Sequence, residues 1–346
     1  GTVWGVGNNQ YGQVGDGTNT TCLTAVQVSG LTGQTALSGR HNQSFAVASV
    51  PLTLQRQTSL TISPITALYA APITVKTALT LQGTSFPLGG RAIVLTVDGT
   101  TVGRATTATT GDVSITVPAL FSIGKHTIAI SFAGDDVNAA TSASALLTVN
   151  KSTTSINAGN VTAVVGSTVT LSAVLSRKSD GAKMEGAELV YMIESTVIGS
   201  ATTDSSGTAK LIYTIPDTFG AGAKSLTVSY AGDAYYKAGK AVKTLTITKA
   251  KTTLTQSSVT GKVGTNVNLS ATLKRRDGTA LANKTIHFQV NGVAVGDATT
   301  DSNGVATFVY FIPTDTVKAK YPLAVSFDED DVNLGATKTG ANLTVK

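Results

Sequence analysis

Hydrophobic and polar residues alternate along this chain in short runs that recur. In one run, Val169, Leu171 and Ala173 are separated by Thr170 and Ser172. A period of two places successive side chains on opposite faces of a β-strand, so one set faces a core and the other faces water. Comparable runs occupy residues 75–81, 93–97, 113–117, 128–132, 189–193, 211–215, 226–230, 267–273, 286–290, 308–312 and 323–327. The pattern predicts β-strands and shows no helical period.

The runs return at a fixed interval. Segments 131–135, 229–233 and 326–330 are similar, and their first residues, all serine, are 98 and 97 residues apart. A second set of similar segments, 103–107, 199–203 and 296–300, is spaced by 96 and 97 residues. Two independent anchors with one period predict three tandem copies of a single structural unit.

Turn signals separate the predicted strands. Asp98-Gly99 and Asn291-Gly292 each lie between two apolar runs. Both residues of such a pair can adopt positive φ, which a two-residue hairpin turn of type I′ requires. The second repeat has Glu194-Ser195 at this place, so we expect its turn to differ.

About seven short strands in a unit of this length are typical of an immunoglobulin-like (Ig-like) β-sandwich, and such a unit is long enough to fold without disulfides. We therefore predict an all-β chain with three tandem Ig-like sandwiches. Their predicted bounds are residues 57–150 (module 1), 151–249 (module 2) and 250–346 (module 3). The junctions at 147–154 and 245–252 contain no spacer, which should limit bending.

Several segments of the repeats resemble a known family. Residues 202–209, 229–236 and 245–248 are similar to bacterial Ig-like repeats of the group 3 type, and the resemblance covers residues 58–346. It implies an Ig-like sandwich and membership of a large surface or adhesin-like protein.

The first fifty residues do not follow the repeat. The run from Trp4 to Thr18, with residues 26–31 and 44–47, resembles one blade of an RCC1-like β-propeller. We predict that residues 1–50 form a single RCC1-like blade segment. One blade leaves open sheet edges and cannot close a propeller. Further blades in a longer chain, or a neighbouring chain, would have to complete it.

Composition and charge narrow the function classes. Charged residues make up 13% of the chain and hydrophobic residues 41%, so a folded core is expected rather than disorder. The net charge of +6 is scattered; its densest run, Lys274-Arg275-Arg276, precedes a predicted turn and indicates a solvated surface rather than nucleic-acid binding. Cys22 is the single cysteine, so an intrachain disulfide is excluded. No apolar run approaches the length of a membrane span.

Catalytic signatures are not found. His41, His126 and His287 fall in three different units, and neither a nucleophile elbow nor a phosphate-binding loop occurs. One acidic cluster is a candidate metal site. Asp328, Glu329, Asp330 and Asp331 are adjacent, and carboxylate oxygens are the ligands that Ca²⁺ prefers. The alternative is a solvated loop. Ca²⁺ is the one cofactor that the sequence brings into consideration.

Repetition without catalytic residues predicts a non-enzymatic structural protein. We expect an extracellular or cell-surface stalk, an adhesin segment or a subunit of a surface fibre, with neighbouring copies or other surface proteins as partners. Two alternatives stay open: a ligand- or carbohydrate-binding accessory region of a larger secreted protein, and a region attached to an enzyme whose catalytic site lies elsewhere.

Overall fold

The computed structural model describes residues 2–32, 34–40, 43–48 and 54–346, with Thr32 and residues 34–40 and 43–48 described by their backbone only. The chain divides into two compact units. One contains the N-terminal segment through Ser63, Thr74–Thr116 and Thr127–Leu146; the other contains Pro64–Ile73, Val117–His126 and Leu147–Lys346.

Two separate antiparallel hairpins form the N-terminal segment. The first pairs β1 (Thr2–Gly7) with β2 (Cys22–Thr32), and the second pairs β3 (Gln34–Arg40) with β4 (Gln43–Ala48). The loop between β1 and β2 is organised by the fully buried Asn9, whose amide nitrogen donates to Asp16 (3.0 Å) and whose oxygen accepts from the Val14 N–H (2.8 Å). The resemblance to an RCC1-like blade stays a prediction; His41 lies outside the described residues.

Module 1 contains nine strands: β5 (Thr58–Ser59), β6 (Ile65–Leu68), β7 (Pro72–Ala78), β8 (Thr80–Leu81), β9 (Ala92–Val97), β10 (Thr100–Thr106), β11 (Asp112–Pro118), β12 (Gly124–Phe132) and β13 (Thr141–Asn150). In the first compact unit, β9 pairs antiparallel with both β10 and β12. In the second, β6 pairs in parallel with the end of β13.

Module 2 is a complete two-sheet sandwich. Its strands are β14 (Thr154–Ala158), β15 (Val161–Val164), β16 (Thr168–Arg177), β17 (Glu188–Ile193), β18 (Thr196–Thr202), β19 (Thr208–Thr214), β20 (Gly222–Tyr230) and β21 (Gly239–Thr248). A sheet of order β14-β16-β19 faces a sheet of order β15-β21-β20-β17-β18, and residues from both sheets form one core. A single 3-10 turn, Asp217–Phe219, precedes β20.

Module 3 repeats this arrangement. Its strands are β22 (Thr252–Gln256), β23 (Val259–Gly261), β24 (Asn266–Arg275), β25 (Thr285–Val290), β26 (Val293–Thr299), β27 (Val305–Phe311), β28 (Lys320–Phe327) and β29 (Ala336–Val345). The sheets have the orders β22-β24-β27 and β23-β29-β28-β25-β26. In both modules the short second strand joins the last strand in parallel, which closes one side of the sandwich.

Side-chain burial confirms the predicted alternation. Leu171, Ala173 and Leu175 of β16 are at most 1% exposed, whereas the residues between them face outward or are half-buried. The all-β fold with tandem Ig-like sandwiches is thus confirmed, while the four domain boundaries stay predictions. Within the described part of the chain, no helix has the length and apolarity of a membrane span.

The two-residue hairpins also agree with the sequence. Asp98 and Gly99 have φ of 49° and 79°, and Asn291 and Gly292 have the same two values. In module 2, Glu194 adopts a φ of 53° but Ser195 does not enter the positive region, so the predicted difference is confirmed. The side chain at the first position also accepts a backbone N–H from the adjacent strand: Asp98 from Thr127 (2.8 Å) and Glu194 from Ser225 (2.9 Å).

This comparison predicts a stabilising change. The double substitution Glu194→Asp, Ser195→Gly should raise the free energy of unfolding of module 2 by about 0.5–1 kcal/mol, because it installs the turn of module 1 and keeps the carboxylate. Hydrogen exchange of the slowest amides of β17 and β18 measures the gain. Ser195→Pro is the matched control and should destabilise; equal exchange in all three chains would contradict the prediction.

Candidate functional site at the module junctions

Side chains suited to catalysis are not assembled in the described residues. The His126 ring bonds to the carbonyl of Ser122 (2.8 Å), and His287 lies between Asp297 (2.8 Å) and Asp328 (3.5 Å) with no nucleophile among these partners. The thiol of Cys22 contacts the Asp16 carboxylate at 3.4 Å. Burial and the Asp16 charge raise the pKa of this thiol, so it is not an activated nucleophile.

The four carboxylates of the predicted calcium site have different partners. The Asp328 side chain points toward His287, Glu329 approaches Lys249 (3.4 Å), and Asp330 pairs with Lys284 (2.6 Å). Asp331 contributes its backbone carbonyl to a contact with the Ala221 N–H of module 2 (3.3 Å). No group of three or more acidic, His or Cys side chains suited to a metal occurs in the described parts of the chain. Calcium binding at these residues stays a prediction.

Instead, these residues belong to a loop that recurs in each module. The carboxylate of Asp330 accepts the N–H groups of Val332 (3.0 Å) and Asn333 (2.7 Å), which closes a tight turn. Asp135 and Asp233 cap the equivalent turns in the same way. We name this turn the capped loop; it comprises residues 135–138, 233–236 and 330–333.

Each capped loop pairs in parallel with the chain at the start of its own module or directly before it. The bridges are Arg56 to Asn138, Ser152 to Tyr236 and Ala250 to Asn333. The capped loop of modules 2 and 3 therefore lies where the chain enters from the preceding module. The junction is formed by that loop, by the entering chain and by the end of the module before it.

At the junction of modules 1 and 2, tyrosines form the contact. The ring of Tyr69, after β6, stacks on Tyr235 with centroids 4.4 Å apart and meets Tyr236 edge-on at 5.6 Å. The buried hydroxyl of Ser152 donates to the carbonyl of Tyr69 (2.6 Å). Burial and the two neighbouring tyrosines raise the pKa of Tyr69, so the ring stays neutral and packs as an aromatic surface.

At the junction of modules 2 and 3, an arginine spans the interface. Arg275, at the end of β24, is 7% exposed. Its Nε donates to Oδ1 of the fully buried Asn333 (2.8 Å), and its Nη2 donates to Asp217 of module 2 (2.7 Å). The apolar side chain of Val332 packs against the core of module 2. One guanidinium therefore joins the capped loop of module 3 to the 3-10 turn of module 2.

Glycine makes room for this guanidinium. Gly166 of module 2 has a φ of 80°, and a Cβ at this position would lie 3.0 Å from Nη1 of Arg275. The equivalent residue of module 3, Gly264, has a φ of 72°, and a Cβ there would approach only Thr314. Glycine at position 166 is therefore favoured twice: the turn requires a positive φ, and the junction leaves little space for a side chain beside Arg275.

The same strand position is used differently in the three modules. Arg177 ends β16 as Arg275 ends β24, but its fork binds Asp180 of its own module through Nε (2.8 Å) and Nη2 (2.5 Å). Module 1 has Leu81 here, and Oδ1 of the buried Asn138 has no hydrogen-bond partner among the described residues. The junctions therefore share the same backbone pairing but differ in the side chains that form their contacts.

Sequence reasoning did not identify these junction residues. The run Lys274-Arg275-Arg276 reads as a solvated turn, whereas Arg275 is buried in an ion pair. One signal was present in the sequence: arginine occurs at the same place in two repeats, at 177 and 275, which are 98 residues apart. This recurrence could have identified the position as structurally important.

Comparisons with known proteins report the fold type only. No protein-family model matches the chain, and no curated protein matches. Among solved structures, the chain is similar to domains A168–A170 of titin, with 12% identity, a TM-score of 0.37, and 82% of this chain and 99% of that chain covered. A tetra-tandem repeat from the extending region of a large adhesion protein has 16% identity, a TM-score of 0.35, and coverage of 82% and 74%.

A further neighbour, the Sidekick-1 immunoglobulin domains 1–5, has 11% identity and a TM-score of 0.29, with 87% of this chain and 61% of that chain covered. These neighbours are tandem Ig-like proteins. At such identities and TM-scores they support no statement about function, and the group 3 type and the RCC1-like blade stay predictions.

Proposed function

We propose that this chain is a non-enzymatic structural or adhesion segment whose modules are held together by side-chain contacts at their junctions. The observation that carries the proposal is the pair of bonds from Arg275, which fixes the capped loop of module 3 to Asp217 of module 2. A flexible linker would separate two modules by a solvated tether, but here the chain passes from β21 to β22 through three residues.

One surface depression, in module 3, is apolar, which supports a non-enzymatic role for that module. A cavity of about 300 Å³ in module 3 is lined mainly by apolar side chains, among them Val290, Val295, Tyr310, Ile312 and Leu343. No Asp, Glu, His, Lys, Arg or Cys is among its lining residues.

An extracellular or cell-surface location is part of the proposal. Its support is the near absence of cysteine together with the repetitive sandwich architecture, which suits a surface stalk, an adhesin segment or a fibre subunit. The partners would be neighbouring copies or other surface proteins. Protease treatment of intact cells, followed by detection of residues 54–346, distinguishes an exposed protein from an internal one.

The coupling itself is tested in solution. Residual dipolar couplings of the full chain, fitted separately for modules 2 and 3, should give alignment tensors of the same orientation and magnitude. Asp217→Ala should make the tensors diverge, since it removes the bond from Arg275 to module 2 and leaves the bond to Asn333. Independent tensors in the unmodified chain would refute the structural role proposed for this junction.

A further inference from the structure

One position of the repeat changes its charge in module 2. Arg91 of module 1, Ala187 of module 2 and Lys284 of module 3 are equivalent, because in each case the backbone carbonyl accepts the N–H of a buried threonine 16 residues later. Arg91 pairs with Asp135 of its capped loop (2.9 Å), and Lys284 pairs with Asp330 (2.6 Å). Module 2 keeps the carboxylate, as Asp233, and has Ala187 in place of the basic side chain; the Lys151 ammonium lies nearby, where it donates to the backbone carbonyl of Asp233 (2.6 Å).

A tyrosine partly replaces the missing partner. The Tyr230 hydroxyl donates to Oδ2 of Asp233 (2.9 Å), whereas modules 1 and 3 have Phe132 and Phe327 at the position of Tyr230. Burial works to raise the pKa of Asp233, but bonds from the Tyr235 and Tyr236 N–H groups and from the Tyr230 hydroxyl, together with the charge of Lys151, lower this pKa below the ordinary carboxyl value. The carboxylate oxygens of Asp233 therefore accept hydrogen bonds from neutral donors, and no basic side chain bonds to them within the described residues.

The residues beside Ala187 have also become acidic. Glu185 corresponds to Gly89 and Ala282, and Glu188 corresponds to Ala92 and Thr285. The six-residue segments 87–92 and 280–285 each carry one positive charge, whereas 183–188 carries Lys183 against two glutamates, a net charge of −1. Glu185 and Glu188 are exposed, and neither carboxylate has an ion pair or hydrogen bond within the described residues.

The short side chain of Ala187 leaves an open cleft of about 500 Å³. Its lining residues include the acidic Glu185, Glu188 and Asp233, the basic Lys183, and two tyrosines, Tyr230 and Tyr236. The carboxylates do not converge as a metal-binding group, as far as the structure describes the chain. A planar cation with several donors suits separated carboxylates and aromatic faces better than a single ion does.

We propose that this cleft binds an arginine side chain of a partner polypeptide, which takes the place that Arg91 and Lys284 occupy in the neighbouring modules. The guanidinium would form an ion pair with Asp233, would be attracted by the negative charges of Glu185 and Glu188, and would lie beside the ring of Tyr236. Arginine is the basic residue with a fork of five donors, and module 1 already uses arginine at this position.

The proposal is tested by titrating the full chain with acetyl-Gly-Arg-Gly-amide while amide resonances are followed by NMR. We expect saturable shifts at Gly186, Ala187, Gly232 and Asp233, with a dissociation constant on the order of 1 mM, since one partly solvated ion pair is weak. The same peptide with citrulline, which has nearly the same shape and no charge, should bind at least tenfold more weakly. Equal shifts from both peptides would overturn the proposal.

Two variants locate the binding. Ala187→Lys should fill the cleft from within, as Lys284 does in module 3, and should abolish the shifts. The double variant Glu185→Ala, Glu188→Thr changes only exposed residues and should weaken binding at least threefold. Wild-type titration curves in both variants would contradict the assignment, and so would shifts of these amides by Ca²⁺ alone with none from the arginine peptide.

The converse variant transfers the site. Module 3 with Ala282→Glu, Lys284→Ala, Thr285→Glu and Phe327→Tyr reproduces the acidic segment and the tyrosine of module 2. We expect the arginine peptide to produce a second set of saturating shifts around Asp330, while the shifts at Asp233 stay the same as in the unmodified chain. An unaltered module 3 spectrum on titration of this folded variant would count against the proposed determinants.

Discussion

Replacement of Arg275 by alanine will lower the free energy of unfolding of module 3 by about 3 kcal/mol. The change removes a buried charge that donates to Asn333 and Asp217, and it leaves the oxygen of the fully buried Asn333 without its donor. Breaking a buried pair from one side costs about 3–5 kcal/mol, and we expect the lower end because the Asp217 side chain is 54% exposed.

The neighbouring Arg276 provides the matched control. It is exposed, so Arg276→Ala should change stability by less than about 0.5 kcal/mol. Hydrogen exchange of the slowest amides of β24 and β28 reports the stability of module 3 in the full chain. If the two alanine variants exchange alike, Arg275 does not stabilise the junction.

Acid will weaken module 3 through Asp330. Burial works to raise the pKa of this carboxyl, but the Lys284 ammonium and the bonds from Asn333 and Val332 outweigh it and bring the pKa to about 2. The unfolded carboxyl has a value of 3.8. Because the folded value is the lower one, the stabilisation is complete above the unfolded value and is lost as the pH falls from about 4 toward 2.

The expected loss is about 2 kcal/mol across that window, since each pKa unit corresponds to about 1.4 kcal/mol. Urea unfolding of the full chain at pH 5 and at pH 2.5, followed by the amide signals of module 3, measures it. Asp330→Asn should reduce this difference, whereas Asp331→Asn, whose carboxylate has no partner among the described residues, should retain it. An unchanged difference in Asp330→Asn would disprove the assignment.

The sandwich itself was accessible from sequence because its determinants are local. Alternation in residues 169–175 and the dipeptide Asn291-Gly292 depend on strand and turn geometry alone, and both have the predicted structure. The parallel pairing of β15 with β21 joins residues more than eighty positions apart, and no local pattern specifies it.

The junction was not accessible because its partners come from different modules. Arg275 lies in a charged run, and its burial depends on where the 3-10 turn of module 2 ends. For the acidic cluster, by contrast, the sequence suggested a site whose side chains have separate partners in the structure. Adjacent carboxylates indicate a shared ligand, yet the turn that Asp330 caps directs Asp328 and Glu329 to separate partners.

The side chains at each junction differ, so each junction fits only one pair of neighbouring modules. The module 1 residue equivalent to Asp217 is Phe121, since both lie two positions after a residue that bonds the same turn, Ala119 or Ile215. A gene rearrangement that deleted module 2 would therefore bring Arg275 against an aromatic ring instead of a carboxylate. Unequal recombination between these repeats would preserve the reading frame and the fold but would leave a mismatched junction. Selection against such junctions would conserve the order of the repeats.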